Sequence, residues 1–236
     1  MQRYFGHINH QSVELTDEDI HHILHVMRMK KGDEFELVDN QRLYVCQIQN
    51  TQPFTAIIVN EVKSEVEIEK NVTLFFPLAK GDKIDLVIQK ATEIGVHKIV
   101  LFKSKRCIVS LDEDSFNKKK VRYQKIAKEA SEQCHRLIVP EIIGIVDINH
   151  IPSELKEDIN YIAYEKNSGS TKESFYELNN KQSVSIVIGP EGGFEEKEVE
   201  TLVNQGFKIV SLGKRILRCE TAAIYAMSVI SYKMEQ

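Results

Sequence analysis

Residues 184–194, VSIVIGPEGGF, decide the fold. Val184–Ile188 is a short apolar run rich in β-branched residues, the composition of a strand buried on both faces. It runs directly into Gly189-Pro190-Glu191-Gly192-Gly193-Phe194, where three glycines fall within five positions. The next residues, from Glu195 to about Gln205, have a helical pattern, Gly206 stands where a helix stops, and Lys208–Leu212 reads as a strand. Strand, tight turn, covering helix and strand form the repeating unit of a parallel sheet. A second loop, GKRILRCE over 213–220, then leads into a terminal helix with Ala223, Met227 and Ile230 at i, i+4 and i+7.

Upstream the same alternation holds. Val72–Leu78 is a strand; Lys83–Ile94 places Ile84, Val87, Ile88 and Ala91 on one helical face with Gly95 just past its end; His97–Phe102 is the next strand. A long helix over roughly 115–136 is predicted to bury Val121, Ile126, Ala127, Ala130 and Cys134, with Pro140 beyond it, and Tyr161–Tyr164 is a further strand before a polar loop at 165–182. Before residue 70 the signals differ. Residues 13–31 read as a short helix with Thr16 as a plausible N-cap, and strands are predicted near 34–38, 43–49, 54–62 and 66–69, separated by Gly32-Asp33, Asp39-Asn40 and Gln52-Pro53 turns. The reading is an α/β protein of two domains, a small β-barrel over 1–70 and a parallel-sheet domain over 71–236.

At 236 residues, 42% hydrophobic and 28% charged, the chain has the balance of an ordinary globular protein long enough for two domains. MQRYFGHINH lacks the apolar run of a signal peptide and no uncharged apolar stretch of about 18 residues occurs, so a cytoplasmic protein without a membrane partner is expected. The four cysteines form no CxxC pair, which argues against a zinc ribbon or a disulfide framework. Histidines 21, 22 and 25 have no companion cysteine or carboxylate set, and no metal is expected. The net charge is -4, and residues 1–70 carry 7 Lys and Arg against 12 Asp and Glu, whereas residues 71–236 carry 24 against 23. An RNA-binding surface would therefore have to come from local clusters such as Lys103, Lys105 and Arg106, Lys118–Lys120 and Arg122, or Lys214, Arg215 and Arg218.

The glycine turn lets backbone approach a ligand closely, and the helix after it offers free N–H groups. It is neither a Walker loop nor a GxGxxG dinucleotide turn. Two loops leaving the C-terminal ends of parallel strands can enclose one ligand. In the second loop Ile216 and Leu217 offer an apolar surface to a flat ring, beside the charges of Lys214, Arg215 and Arg218.

The runs IGPEGGF (188–194), LGKRILRCETA (212–222), IQKATEIGV (88–96) and EASEQCHR (129–136) resemble the motifs of the ribosomal RNA small subunit methyltransferase E family, in the SPOUT class. HHILHVMRMKKGDE (21–34) is similar to that family's PUA-like RNA-binding domain, so the resemblance spans nearly the whole chain. It implies a trefoil-knotted C-terminal domain, S-adenosylmethionine as cofactor, a homodimer, and methylation of N3 of one uridine in small-subunit ribosomal RNA, free or in the assembled subunit. Carried onto this sequence, it places the cofactor at Ile188, Gly189, Gly192, Gly193, Leu212, Gly213, Ile216, Leu217 and Arg218. Positions implied to face RNA are Arg3, Arg28, Lys80, Lys90, Glu93, Arg106, Gln133 and Arg136. Cys219 stands where the family mostly has threonine, Cys107 where serine is common, and Tyr123 where tryptophan is common.

The uridine imide keeps its proton near neutral pH, so a base must remove it or a cation must stabilise the anion. Arg218 is expected to be that cation, because guanidinium does not lose its proton. Glu220 is the nearest carboxylate able to serve as base, against a structural role as helix cap and dipole partner. A nucleophilic Cys219 is the less economical reading, since a deprotonated N3 needs no carbon activated. The competing functions are ribose 2′-O methylation in the same class, a non-catalytic RNA-binding ribosome assembly factor, and an unrelated α/β nucleotide-binding enzyme.

Overall fold

The computed structural model describes residues 1–10, 12–107, 109, 111–165, 175 and 178–236. It divides into two compact units, Met1–Glu67 with Ser131–Ile138, and Ile68–Ala130 with Val139–Gln236. The division falls close to residue 70, but the first unit also takes back eight residues from the middle of the chain, a return that no local sequence signal announces.

The second unit is built on a six-stranded parallel sheet. Its strands are β7 (Val72–Pro77), β8 (Lys98–Lys103), β9 (Glu141–Asp147), β10 (Ile159–Ala163), β11 (Val184–Val187) and β12 (Lys208–Val210), in the order β12-β10-β11-β7-β8-β9. β7 and β11 are buried along their whole length, which is why they read as unbroken apolar runs. Successive side chains serve opposite faces. On one face Leu74, Phe76, Ile99, Leu101 and Ile186 join the helices α2 (Lys83–Glu93), α3 (Glu113–Gln133) and α5 (Cys219–Met234). On the other, Phe75, Val100, Phe102, Ile162 and Val187 meet Val199 and Leu202 of α4 (Glu196–Asn204). Each fully buried phenylalanine contributes on the order of 2–3 kcal/mol.

The helix ends follow local chemistry. Gly95, at φ +97, and Gly206, at φ +95, reverse the chain after α2 and α4. Glu195 and Glu198 form a reciprocal capping box at the start of α4. α3 buries Ala127 and Ala130 as expected, with Ile126 packed against the core, and adds Phe116 and Tyr123 to that face, whereas Val121 is 75% exposed. Val121 lies about 140° around the helix from Phe116, on the solvent side. β9, absent from the sequence reading, follows Pro140 directly. The expected polar loop at 165–182 lies mostly outside the described residues. α5 follows β12 at the sheet edge yet packs against α2 and touches β7. Among the described residues, no helix is long and apolar enough to cross a membrane.

The first unit holds β1 (Arg3–Phe5), β2 (His7–Asn9), β3 (Ser12–Glu14), β4 (Glu34–Asp39), β5 (Arg42–Thr51) and β6 (Phe54–Val62), hydrogen-bonded in the order β1-β4-β5-β6-β3-β2. Three of the predicted strands are present. The fourth, 66–69, is not a strand: Glu67 turns its carboxylate to backbone and guanidinium instead, and Ile68 is buried in the core of the second unit. The predicted helix shrinks to α1 (Asp17–His21), where the Thr16 hydroxyl accepts the Asp19 N–H at 3.2 Å, continued by one turn of π-helix over His22–Val26. The wider turn buries Ile23 against Tyr4 and Phe35 and ends at Arg28 in the left-handed region, φ +55.

Ser131–Ile138 is tied into this unit by charge. Arg136 gives Glu67 hydrogen bonds of 3.1 Å from Nε and 2.7 Å from Nη2, and Glu67 also accepts the Leu137 N–H at 2.6 Å. Arg3 gives its Nε to Glu36 at 2.8 Å and its Nη1 to the His135 and Arg136 carbonyls. Removing one partner of a buried pair leaves an uncompensated charge, at a cost of roughly 3–5 kcal/mol. Glu67→Ala should therefore destabilise the protein by roughly 3 kcal/mol in urea unfolding; a loss under about 0.5 kcal/mol, the range of a neutral surface change, would show that Arg136 does not need its partner.

Candidate active site

Because β7, β10, β11 and β12 are parallel, their C-terminal ends share one edge of the sheet, and the loops that leave it enclose a cleft of about 510 Å³. The first wall is the glycine turn. Ile188 still donates its N–H to Phe75 O at 3.1 Å, the last rung before the chain leaves the sheet. A Cβ on Gly189 would stand 3.0 Å from the Phe194 ring, and one on Gly192 would stand 3.1 Å from Arg106 Cβ. Gly193 adopts φ +68, and its N–H closes the turn on Pro190 O at 2.8 Å. The Phe194 ring stacks on Phe102, centroids 6.3 Å apart, which anchors the turn to the sheet below.

The second wall is 212–218. Gly213, at φ +108, lets the loop reverse. Leu217 packs against the core while Ile216, on the same wall, is 83% exposed. So large an apolar side chain turned to solvent on the wall of a cleft marks a surface that a ligand can cover. Arg218 is the N-cap residue of α5; its carbonyl accepts the Ala222 N–H at 2.8 Å, and its exposed guanidinium has no ion-pair partner among the described residues.

Every position assigned to a cofactor, Ile188, Gly189, Gly192, Gly193, Leu212, Gly213, Ile216, Leu217 and Arg218, lines this one cleft. Of the positions implied to face RNA, Arg106 joins them, with Nη1 donating to Gly192 O at 3.1 Å. Lys80, Lys90 and Glu93 do not line it: Lys80 is exposed in the loop after β7, and Lys90 pairs with Glu93 at 2.8 Å on α2. In the first unit Arg28 and Gln133 are exposed. Arg3 and Arg136 are not presented outward; each is 4% exposed with its guanidinium taken up as described above, so these two tie the unit together.

Glu220, read as either base or helix cap, lies in the first turn of α5. It is not among the residues lining the cleft, and it sits 3.5 Å from Lys83 Nζ and 3.2 Å from the Cys219 thiol that donates to it. Burial opposes its charge, but the backbone N–H at the helix start, the thiol and the Lys83 ammonium outweigh burial and hold its carboxyl below the usual range. That setting suits a negative charge at the N-terminus of α5. Burial, with the carboxylates of Glu220 and Glu191, pushes the Cys219 thiol up to about 12, so it is a protonated donor and not a nucleophile. Sequence reasoning missed Lys83, Tyr164 and Glu191, which all line the cleft. The strand-end rule that found the two loops also points to the ends of β7 and β10, where Lys83 and Tyr164 lie. No group of three His, Cys, Asp or Glu able to hold a metal occurs among the described residues.

A family model described as an RNA methyltransferase domain matches residues 66–231, and one described as an RNA methyltransferase PUA domain matches residues 15–59. Fold and cleft thus define the protein as an RNA methyltransferase. The chain is 36% identical, over its full length and 98% of the relative's, to ribosomal RNA small subunit methyltransferase E of Bacillus subtilis. It superposes with a TM-score of 0.83 at 29% identity on ribosomal RNA small subunit methyltransferase E from Neisseria gonorrhoeae bound to S-adenosyl methionine, covering 98% of this chain and 97% of that one. A Legionella pneumophila protein in complex with the cofactor SAM superposes with a TM-score of 0.88 at 29% identity, over 98% of this chain and 97% of that one. The chain belongs to the ribosomal RNA small subunit methyltransferase E family.

A thiol with so high a pKa and 4% exposure should resist alkylation. In native protein at pH 7.5, Cys219 is expected to stay unmodified by iodoacetamide while denatured protein is modified there within minutes, as read by peptide mass spectrometry. Rapid native labelling of Cys219 would contradict its protonated, buried state.

Proposed function

We propose that the protein methylates N3 of a specific uridine in small-subunit ribosomal RNA, with S-adenosylmethionine held between the 188–194 and 212–218 loops. The observation that carries the reading is the convergence on one cleft of two glycine-bearing loops, the exposed Ile216 and the exposed Arg218, which has no ion-pair partner among the described residues. The residues fit such a cofactor. The volume lies within the usual range for small-molecule sites, roughly 300–1,000 Å³, and the glycines leave room where a Cβ would meet Phe194 or Arg106. When bound, the cofactor supplies an electrophilic methyl group.

The chain's own residues do the rest. Leu212, Ile216 and Leu217 give a flat ring an apolar bed, and the backbone at Gly189 and Gly192, with no Cβ in the way, gives polar atoms close approach. Arg218 holds a fixed positive charge where the uracil ring carries negative charge once N3 loses its proton. Arg215, exposed beside it, suits the RNA backbone. Glu220 positions the start of α5 and leaves the proton to another acceptor. The first unit, matched by the PUA model, is the proposed RNA-holding module, with Arg28 and Gln133 exposed on it. The site of action is the cytoplasm, where ribosomal subunits are assembled.

We also propose a homodimer. α5 turns Ile224, Tyr225, Val229 and Tyr232 outward around an apolar hollow, with Tyr225 46% and Tyr232 63% exposed, a surface suited to a second copy of the chain. Tyr232→Asp should shift the species seen by analytical ultracentrifugation from dimer to monomer; an unchanged dimer would move the interface elsewhere.

The function is tested by incubating the protein with small-subunit RNA and labelled S-adenosylmethionine and analysing the nucleosides. N3-methyluridine is the expected product; a ribose-methylated nucleoside would indicate the sister reaction, and no cofactor binding at all would favour an assembly factor. Arg218→Ala should lower kcat by about 10²-fold, the scale for losing one charge-stabilising group, with calorimetric cofactor affinity within about threefold, well under 1.4 kcal/mol. A full rate in that variant would remove Arg218 from the chemistry. Gly192→Val should abolish cofactor binding while the protein stays folded.

A further inference from the structure

Lys83 is the first residue of α2, and a cation there opposes the positive end of the helix dipole. Nothing in α2 itself accounts for it. Its ammonium instead reaches out of the helix to two carboxylates on different elements: Glu191 Oε1, inside the glycine turn, at 2.9 Å, and Glu220 Oε2, in the first turn of α5, at 3.5 Å. Lys83 and Glu191 line the cleft, and the side chains of Lys83, Glu191 and Glu220 are 30%, 25% and 14% exposed. α2 and α5 pack on one another, so Lys83 and Glu220 stand on a firm base, whereas Glu191 rides on a turn with few side chains to pin it.

From this geometry we infer that Lys83 is a positioning residue: it latches Glu191 of the glycine turn to the start of α5, and so holds the two cofactor loops at their binding separation before any ligand arrives. The inference rests on the proposed function for the identity of the ligand but not for the latch itself. Without the latch the turn must be ordered at the moment of binding, and that ordering is drawn from affinity. An ion pair this exposed is a weak contact, so the effect is a few-fold one. Arginine keeps the charge and reaches both carboxylates, and methionine keeps the apolar stem without the charge.

The test compares wild type, Lys83→Met, Lys83→Arg, Glu191→Gln and the Lys83→Met/Glu191→Gln double variant by calorimetric titration with S-adenosylmethionine, steady-state methyl transfer, and hydrogen exchange of the 189–193 amides without cofactor. Lys83→Met should weaken cofactor affinity and raise its KM by about fivefold, leave kcat within about twofold, and speed exchange at Gly192 and Gly193. Lys83→Arg should restore all three. Glu191→Gln, a change on an exposed turn that does not threaten folding, should shift all three in the same direction, and the double variant should be no worse than Lys83→Met alone, because both remove the Lys83–Glu191 contact. Unchanged exchange in both Lys83→Met and Glu191→Gln, or additive losses in the double variant, would overturn the latch. If the wild-type protein bound no S-adenosylmethionine, the function would fall while the exchange measurement still decided the latch.

Discussion

The parallel pairing of β11 with β7 on one side and β10 on the other is the constraint on which the second unit depends. Val184 stands opposite Val72, and Ile159 opposite Val184, so the three strands start in one register. A parallel sheet buried on both faces cannot slip by a residue without exchanging Phe75 and Val187 for Leu74 and Ile186 across its two cores. The ends of the strands are therefore fixed, and the glycine turn begins where the hydrogen bond of Ile188 to Phe75 ends. A turn composed mostly of glycine and proline has little to hold it in place by itself. It borrows definition from the rigid frame beneath and from Phe194 stacked on Phe102.

Charge is divided between two tasks. Arg3, Arg136 and Lys83 are cations with carboxylate partners, and Glu36 illustrates the balance in the first unit. Burial works against its charge, but Arg3 and His135 prevail and hold its carboxyl below the usual range. Arg215 and Arg218, by contrast, are exposed on the second loop of the cleft. The net charge of -4 thus says little about affinity for a polyanion; the relevant quantity is which cations are left outward-facing and where.

Much of this was legible in the sequence because it is written in local signals. The period of the apolar residues located β7, α2, β11, α4 and α5, and the glycines marked the ends of α2 and α4 and both loops of the cleft. Where structure departs from the sequence reading, the cause is tertiary. Val121 looked like a core residue because it is apolar, yet its angular position places it outside. Residues 66–69 alternate like a strand, but Glu67 is committed to Arg136, 69 residues further along the chain. The burial of Arg3 and Arg136 is invisible in sequence for the same reason: a buried arginine and an exposed one are spelled alike, and only the partner distinguishes them. Lys83 and Glu191 are more than a hundred residues apart, and their meeting follows from strand order.

The return of Ser131–Ile138 to the first unit makes the protein discontinuous in a practical sense. A chain shortened to begin at Ile68 would not be a self-contained catalytic half. It would keep Leu137, stripped of Val38 and Leu43, and Arg136, stripped of Glu67, on a segment interrupting what remains. Genetic dissection of such a protein, by truncation or by exchange of modules between relatives, has to move residues 131–138 together with residues 1–67, as two pieces of one inheritable part.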